Sequence, residues 1–343
     1  MIRARALCAT LMALLLAGPV MAAPDQALID AARKEGQVVW YSTLIVNQIL
    51  RPMVEAFQTK YPGIEVQYSR QTNSDVALKI LNESRARRLQ ADLFDGTNSI
   101  YPVMDAKLIA EYRPEAARSY PAELKDPQGR WTAMNVFFMT TSYNTNLVTE
   151  AEAPKTYDDL LDAKWKGKIV WTNDPTSQGP PGFIHNILTL KGQEQGMEYL
   201  KRFAEQQPVF IPASQRVVMD KVIAGEYPIG VMTFNHHAAI SGGQGAPVRW
   251  IKMEPLLQTI NLLALLRDAP HPNAARLLIE FILSDEGQKV FADHDYVPAS
   301  PSVPARVAEL KPDVGKFRVN VVTPDMGRYD LPKWTAIYRD LFR

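Results

Sequence analysis

Five histidines occur in this 343-residue chain, and two of them are adjacent: His236 and His237, in "GVMTFNHHAAISGG" (230–243). A neutral imidazole donates from one ring nitrogen, accepts at the other, and ligates borderline transition metals. The pair therefore reads in three ways: metal ligands, hydrogen-bonding groups for an organic ligand, or incidental residues at a helix start. Neighbouring side chains on a strand diverge, so both imidazoles reach one ligand only where the strand turns into a helix. Tyr41, Glu83, Asp95 and Asp174 are the candidates for further ligands of a metal site. Arg216 brings different chemistry, because a guanidinium fork makes two parallel bonds to a carboxylate, phosphate or phosphonate.

Catalytic signatures are missing. The chain has no G-x-S-x-G elbow, no Walker A loop and no H-E-x-x-H helix. His185, His271 and His294 stand apart, and His271, between Pro270 and Pro272, reads as a turn residue. Asp158-Asp159 and Asp293 with Asp295 read as helix-end or solvated charges. The expectation is a protein that is not an enzyme and carries no cofactor.

Composition narrows the class. "MIRARALCATLMALLLAGPVMAAPDQ" opens with Arg3 and Arg5, continues with an apolar run over 6–17, and offers Val20-Met21-Ala22 as a small-residue cleavage pattern. That is the form of a signal peptide (1–22), and it predicts export. The lone cysteine, Cys8, lies in that run, so the expected mature chain of 321 residues has no disulfide, thiolate metal site or cysteine nucleophile. Removing residues 1–22 takes away two arginines and no acid, leaving 36 basic against 37 acidic side chains. So small an imbalance gives no electrostatic case for nucleic acid or an anionic membrane.

The elements that must position the histidines alternate between strand and helix. "GQVVWYS" (36–42) reads as a buried strand, and Val46, Ile49, Leu50, Met53, Val54 and Phe57 put an apolar stripe on a following helix. Ile64, Val66 and Tyr68 alternate as a second strand, completing a β-α-β unit that favours parallel pairing. "ADLFDG" (91–96), "GKIVWTND" (167–174), "PVFIP" (208–212), "PIGVMTF" (228–234) and "QTINLLALLRD" (258–268) read as further strands. "DVALKILNESRARRL", "SQRVVMDKVIAG" (214–225) and "HPNAARLLIEFILSDEGQKVFADH" (271–294) read as helical segments. This rhythm predicts an α/β protein.

Ligands of open α/β sheets bind beyond the carboxyl ends of the strands. That rule nominates five polar loops: Ser42-Thr43-Leu44, Gly96-Thr97-Asn98, Thr176-Ser177-Gln178-Gly179, Ser214-Gln215-Arg216 and Asn235-His236-His237. Each is also an ordinary helix-capping sequence, but five together in an exported chain predict a cleft.

The chain resembles the periplasmic solute-binding proteins of ABC importers, type II class, in the ferric-iron-binding group. The resemblance rests on "VVWYST", "FQTKYPGIEV", "ADLFDGTNS", "TSYNTNLV" (141–148), "KWKGKIVWTNDPTSQG" (164–179), "VIAGEYPIGVMTFNHH" (222–237) and "HPNAARLLIEFILSDEGQKVF" (271–291), in that order. It implies two α/β lobes joined by two crossing strands, "TTSYNTNLV" and the "QTINLLALL" region, with the ligand clamped between them. One lobe would comprise 23–139 plus 258–295 and the other 140–257, with 296–343 as a tail carrying Trp334 and Tyr338 against the hinge or second lobe.

The resemblance further implies a monomer in the periplasm that hands its solute to an inner-membrane permease. In the iron-binding members two adjacent tyrosines stand where His236 and His237 stand here, and Asn235 matches an asparagine common there. Ferric iron prefers phenolate and carboxylate oxygen to imidazole, so the histidine pair shifts the expectation from bare ferric ion to a small anionic organic solute. A ferric chelate or another metal held by His236 and His237 is the alternative. The loop with Ser177, Gln178 and Gly179 matches one that presents donors to an oxyanion. The expected ligand-binding set is Ser42, Thr43, Thr97, Asn98, Ser177, Gln178, Gly179, Gln215, Arg216, Asn235, His236 and His237.

Overall fold

"QVVWYS" combines β-branched and aromatic side chains, which suit a buried pleated surface, and it forms β1 (Gln37–Ser42). The structure, a computed structural model, describes residues 24–176, 178–311 and 318–342. The expected signal peptide lies outside the described residues, as does Ser177. The strands after β1 are β2 (Glu65–Arg70), β3 (Leu93–Gly96), β4 (Thr132–Asn144), β5 (Ile169–Thr172), β6 (Val209–Ile211), β7 (Ile229–Phe234), β8 (Val248–Ile251), β9 (Leu256–Leu265), β10 (Val297–Pro298) and β11 (Val319–Val322).

β1 pairs in parallel with β2 and β3, and β5 pairs in parallel with β6 and β7. Helices cross between these strands, as the sequence spacing requires. The path through the sheet is β2-β1-β3-β9-β4-β7-β5-β6, with β8 and β10 on β4 and β11 on β9. β4 and β9 pair antiparallel with each other and link the two parallel groups. The mixed α/β fold is two-lobed.

The apolar side chains separate at those two strands. Ala133, Met134, Val136 and Phe138 of β4 join one core with Trp40, Phe57, Phe94 and Phe281. From Met139 onward β4 joins another, with Trp171, Phe183, Phe203, Trp334 and Tyr338. The last helix, Leu331–Phe342, reaches this second core through Tyr338 against Phe210 and Phe342 against Trp171. The short helix before it, Pro324–Tyr329, ties to helix Ile100–Asp105 through an Arg328–Asp105 ion pair.

Three local readings change. Residues 271–294 form two helices, Pro272–Leu283 and Asp285–Asp293, because Ser284 adopts an extended backbone and its hydroxyl caps Gly287 N–H. The stretch after β1 opens as a π-turn, Val46–Leu50, before the α-helix Arg51–Lys60. His271 does more than turn the chain: its N–H and Nδ1 meet the buried Asp92 at 2.6 and 3.0 Å, and Asp92 also accepts from Val39 N–H. No described helix is long and apolar enough to cross a membrane.

Candidate functional site

The carboxyl ends of β1, β2, β3, β5, β6 and β7 open onto one cleft of about 730 Å³. All five predicted loops contribute to its wall, through Thr43, Thr97, Gln178, Ser214 with Arg216, and His236 with His237. Each β-to-α turn has a specific cause. Gly96 has φ 154°, and a Cβ there would collide with Ser99 Oγ and Asn73 Oδ1. Asn73 Oδ1 in turn accepts from the N–H groups of Thr97, Asn98 and Ser99. Thr43 is fixed from below, its N–H and hydroxyl donating to Asp95 Oδ1 at 3.0 and 2.6 Å. Asp95 is fully buried, and desolvation pushes its carboxyl up to about 6.

His236 and His237 occupy the first turn of helix Asn235–Gly243, whose N-terminus no side chain caps. Their rings meet at 4.5 Å, and His236 also lies 5.8 Å from Phe137, 5.3 Å from Phe234 and 6.4 Å from Tyr296. Burial, then the neighbouring His237, holds His236 well below the usual histidine range. Burial, then Arg216, pushes His237 down to about 4. Both imidazoles are thus neutral at any pH near 7. Their Nδ1 atoms are buried without a protein partner among the described residues, as is Oδ1 of the cleft residue Asn261. The three residues that carry these unpaired atoms all line the cleft, and buried polar atoms without a partner call for a specific explanation.

The loop after β5 departs from its expected role. Thr176 N–H donates to Asp174, Gln178 N–H to Thr176 Oγ1, and Gly179 N–H to Thr176 O. Pro180 and Pro181 begin the next helix without N–H groups. The described main-chain donors of this loop are therefore used internally or absent, and the loop does not present them to an anion. Gly179 is required because a Cβ would strike Asp174 O. What the loop offers the cleft is the side chain of Gln178, whose Nε2 donates to Thr259 on β9, and the carboxylate of Asp174.

Other expected residues support rather than line. Gln215 is buried and donates to Gln178 O at 2.8 Å. Ser42 is buried and caps Leu44 N–H. Asn98 and Gly179 do not reach the wall. Asn235 turns away and donates to Leu310 O at 3.1 Å. Tyr41 and Glu83, considered as metal ligands, bond each other at 2.7 Å away from the cleft. Among the described residues no three His, Cys, Asp or Glu side chains converge as a metal-ligand set.

Sequence reasoning missed the end of β2 and its connection to the helix Asn73–Arg85. Arg70, Gln71, Thr72 and Asn73 all line the cleft, and so do Phe137, Phe234, Asn261 and Tyr296. Arg216 lines it too, but its guanidinium is held by Asp220 at 2.7 Å and Ser241 at 3.2 Å. The Arg70 side chain makes no ion pair or hydrogen bond among the described residues.

The pattern that defines the bacterial extracellular solute-binding proteins matches residues 52–317. The chain belongs to that family. It is the solute-binding component of an ABC importer and not an enzyme. Its relatives include the Fe(3+)-binding periplasmic protein of Serratia marcescens, 23% identical over 269 residues that cover 76% of this chain and 78% of the relative. Iron-bound HitA from Pseudomonas aeruginosa superposes with a TM-score of 0.72 at 24% identity, covering 89% of this chain and 99% of HitA. AfuA from Actinobacillus pleuropneumoniae, with fructose-6-phosphate bound, superposes with a TM-score of 0.71 at 21% identity over 90% of this chain and 98% of AfuA. The fold is that of the periplasmic binding proteins, and the matches span proteins of the ferric-binding type.

Proposed function

We propose that the solute is a small organic anion, captured in the periplasm by a monomer and released to an inner-membrane permease. The observation that carries this reading is the charge of the cleft wall. Two guanidiniums, Arg70 at the end of β2 and Arg216 in the first turn of helix Gln215–Ile223, outnumber the Asp174 carboxylate on the wall of a cleft whose histidines are neutral. The sugar phosphate bound by AfuA is a precedent for an anionic organic solute in this fold. We also read 23–139 with 258–295 as one lobe, 140–257 as the other, and 296–343 as a tail. The change of core between Phe138 and Met139 supports a hinge there. Closure of the lobes would then desolvate both arginines around the anion.

A ferric chelate is the second reading, favoured by the iron named for the Serratia and Pseudomonas relatives. Chelating carboxylates would use the same arginines. Direct ligation of bare ferric ion is disfavoured by the donors. His236 and His237 take the tyrosine positions, and burial pushes the phenol in the cleft, Tyr296, up to about 12.

Native mass spectrometry with metal analysis on the purified protein tests the proposal, and an organic mass without metal is the expected result. Ferric citrate added to the protein is expected to give no phenolate-to-iron charge-transfer band. A strong visible band with stoichiometric iron overturns the organic-anion reading.

A further inference from the structure

Two of the strands that reach the cleft, β4 and β7, are buried along their lengths except at one ring each. Phe137 is the one side chain of β4 that is not buried, and Phe234 the one side chain of β7. The core phenylalanines Phe57, Phe183, Phe203 and Phe281 are at most 1% exposed. Phe137 and Phe234 lie 5.2 Å apart, at 49°, and both line the cleft. Tyr296 and His236 continue the surface, their rings 6.4 Å apart and 28° from parallel. The neutral imidazoles add flat aromatic area without charge.

A bare metal ion or a small saturated polyacid leaves such a wall unused, and apolar ring surface facing water is unfavourable. Arg70 stands near the same wall, close enough for its charge to act on the Tyr296 phenol. From this juxtaposition we infer that the solute is an anion carrying a flat, unsaturated ring, stacked on Phe137 and Phe234 with its charged group toward Arg70. The inference rests on the organic-anion reading above and narrows its chemical class.

Paired probes test it on full-length protein freed of solute by extended dialysis, with affinity measured by isothermal calorimetry. The pairs are phenyl phosphate against inorganic phosphate, and benzoate against acetate, with phenol as the uncharged ring. In at least one pair the ring-bearing anion is expected to bind about tenfold or more tighter than its ringless partner. Phe137→Leu, which keeps apolar bulk but removes the ring, is expected to abolish most of that advantage. The ringless anion's affinity should change far less than that of the ring-bearing anion. Phe234→Leu provides the same reading should Phe137→Leu fail to fold. Equal affinities within both pairs overturn the ring while the organic-anion reading stands, and so does a ring preference that both leucine variants retain. Binding of phenol alone, or of none of the probes, overturns the inference together with the organic-anion reading.

Discussion

Replacing Arg70 by alanine is expected to weaken solute binding by at least about 30-fold, a larger loss than Arg216→Ala causes. Arg216 enters the cleft already engaged, its charge partly answered by Asp220 at 2.7 Å and its other arm on Ser241. A ligand anion there competes with a carboxylate four residues away on the same helix. Arg70 has no such competitor among the described residues, at the exposed end of β2 where the strand meets the cleft.

Removing one member of a desolvated charge-assisted pair costs on the order of 2–5 kcal/mol of binding, which is roughly 30-fold at the lower end. The empty protein should keep its melting temperature, since the side chain that is lost is exposed. Arg70→Lys should recover only part of the affinity, because an ammonium cannot reproduce the two-pronged geometry of a guanidinium. Calorimetric titration with the solute identified by mass spectrometry gives the answer. If Arg70→Ala binds as tightly as the parent while Arg216→Ala loses affinity, the anchor is the helix arginine despite its ion pair.

That Arg70 escaped the sequence reading has a physical explanation. The strand-end rule found the loops after β1, β3, β5, β6 and β7, and each supplies the cleft. It passed over the loop after β2 because hydrophobic alternation stops at Tyr68. Pairing with β1 continues for two more residues, to Ser42 opposite Arg70. Polar strand ends carry no periodic signal, so their register is set by the partner strand. Phe137 and Phe234 were hidden for the opposite reason: an apolar residue inside an apolar strand reads as core, and only the packed lobes show which one is left uncovered. The loop "PTSQGPPG" misled differently. Its turn formers correctly announced a tight connection, but the two prolines remove the N–H groups that an anion site at that helix start would need. The break at Ser284 was legible in principle, as a serine three residues before a glycine whose N–H it caps, but the apolar stripe runs through it unbroken.

The melting temperature of the empty protein is expected to fall steadily from pH 7 to pH 4.5. Three histidines set the sign. Burial lowers His185 and His237 to about 4 each and holds His236 well below the usual histidine range. In the unfolded chain these groups take up protons near pH 6.5, whereas the folded protein leaves them neutral until the pH approaches 4. Their contribution is complete above about 6.5 and is lost as the pH drops toward the folded values. Each histidine in that window removes up to about 1.4 kcal/mol per pH unit. Asp95 works against them. Its carboxyl is raised to about 6, so the folded state binds a proton that the unfolded chain releases until about pH 4, and its contribution grows on acidification.

Three groups against one leaves acid destabilisation as the net result, and single substitutions separate the parts. His185 is remote from the cleft, its ring 4.3 Å from Trp334. His185→Gln should therefore make the slope shallower by about a half, since one of a net two groups is removed, without touching solute affinity. His236→Gln should flatten the slope similarly and also weaken binding, since its imidazole lines the cleft. A melting temperature that stays level from pH 7 to 4.5 would show that the folded protein protonates its histidines at ordinary pH. The wall around His236 and His237 would then be cationic in acid, and the solute would be held by imidazolium charge as well as by the arginines.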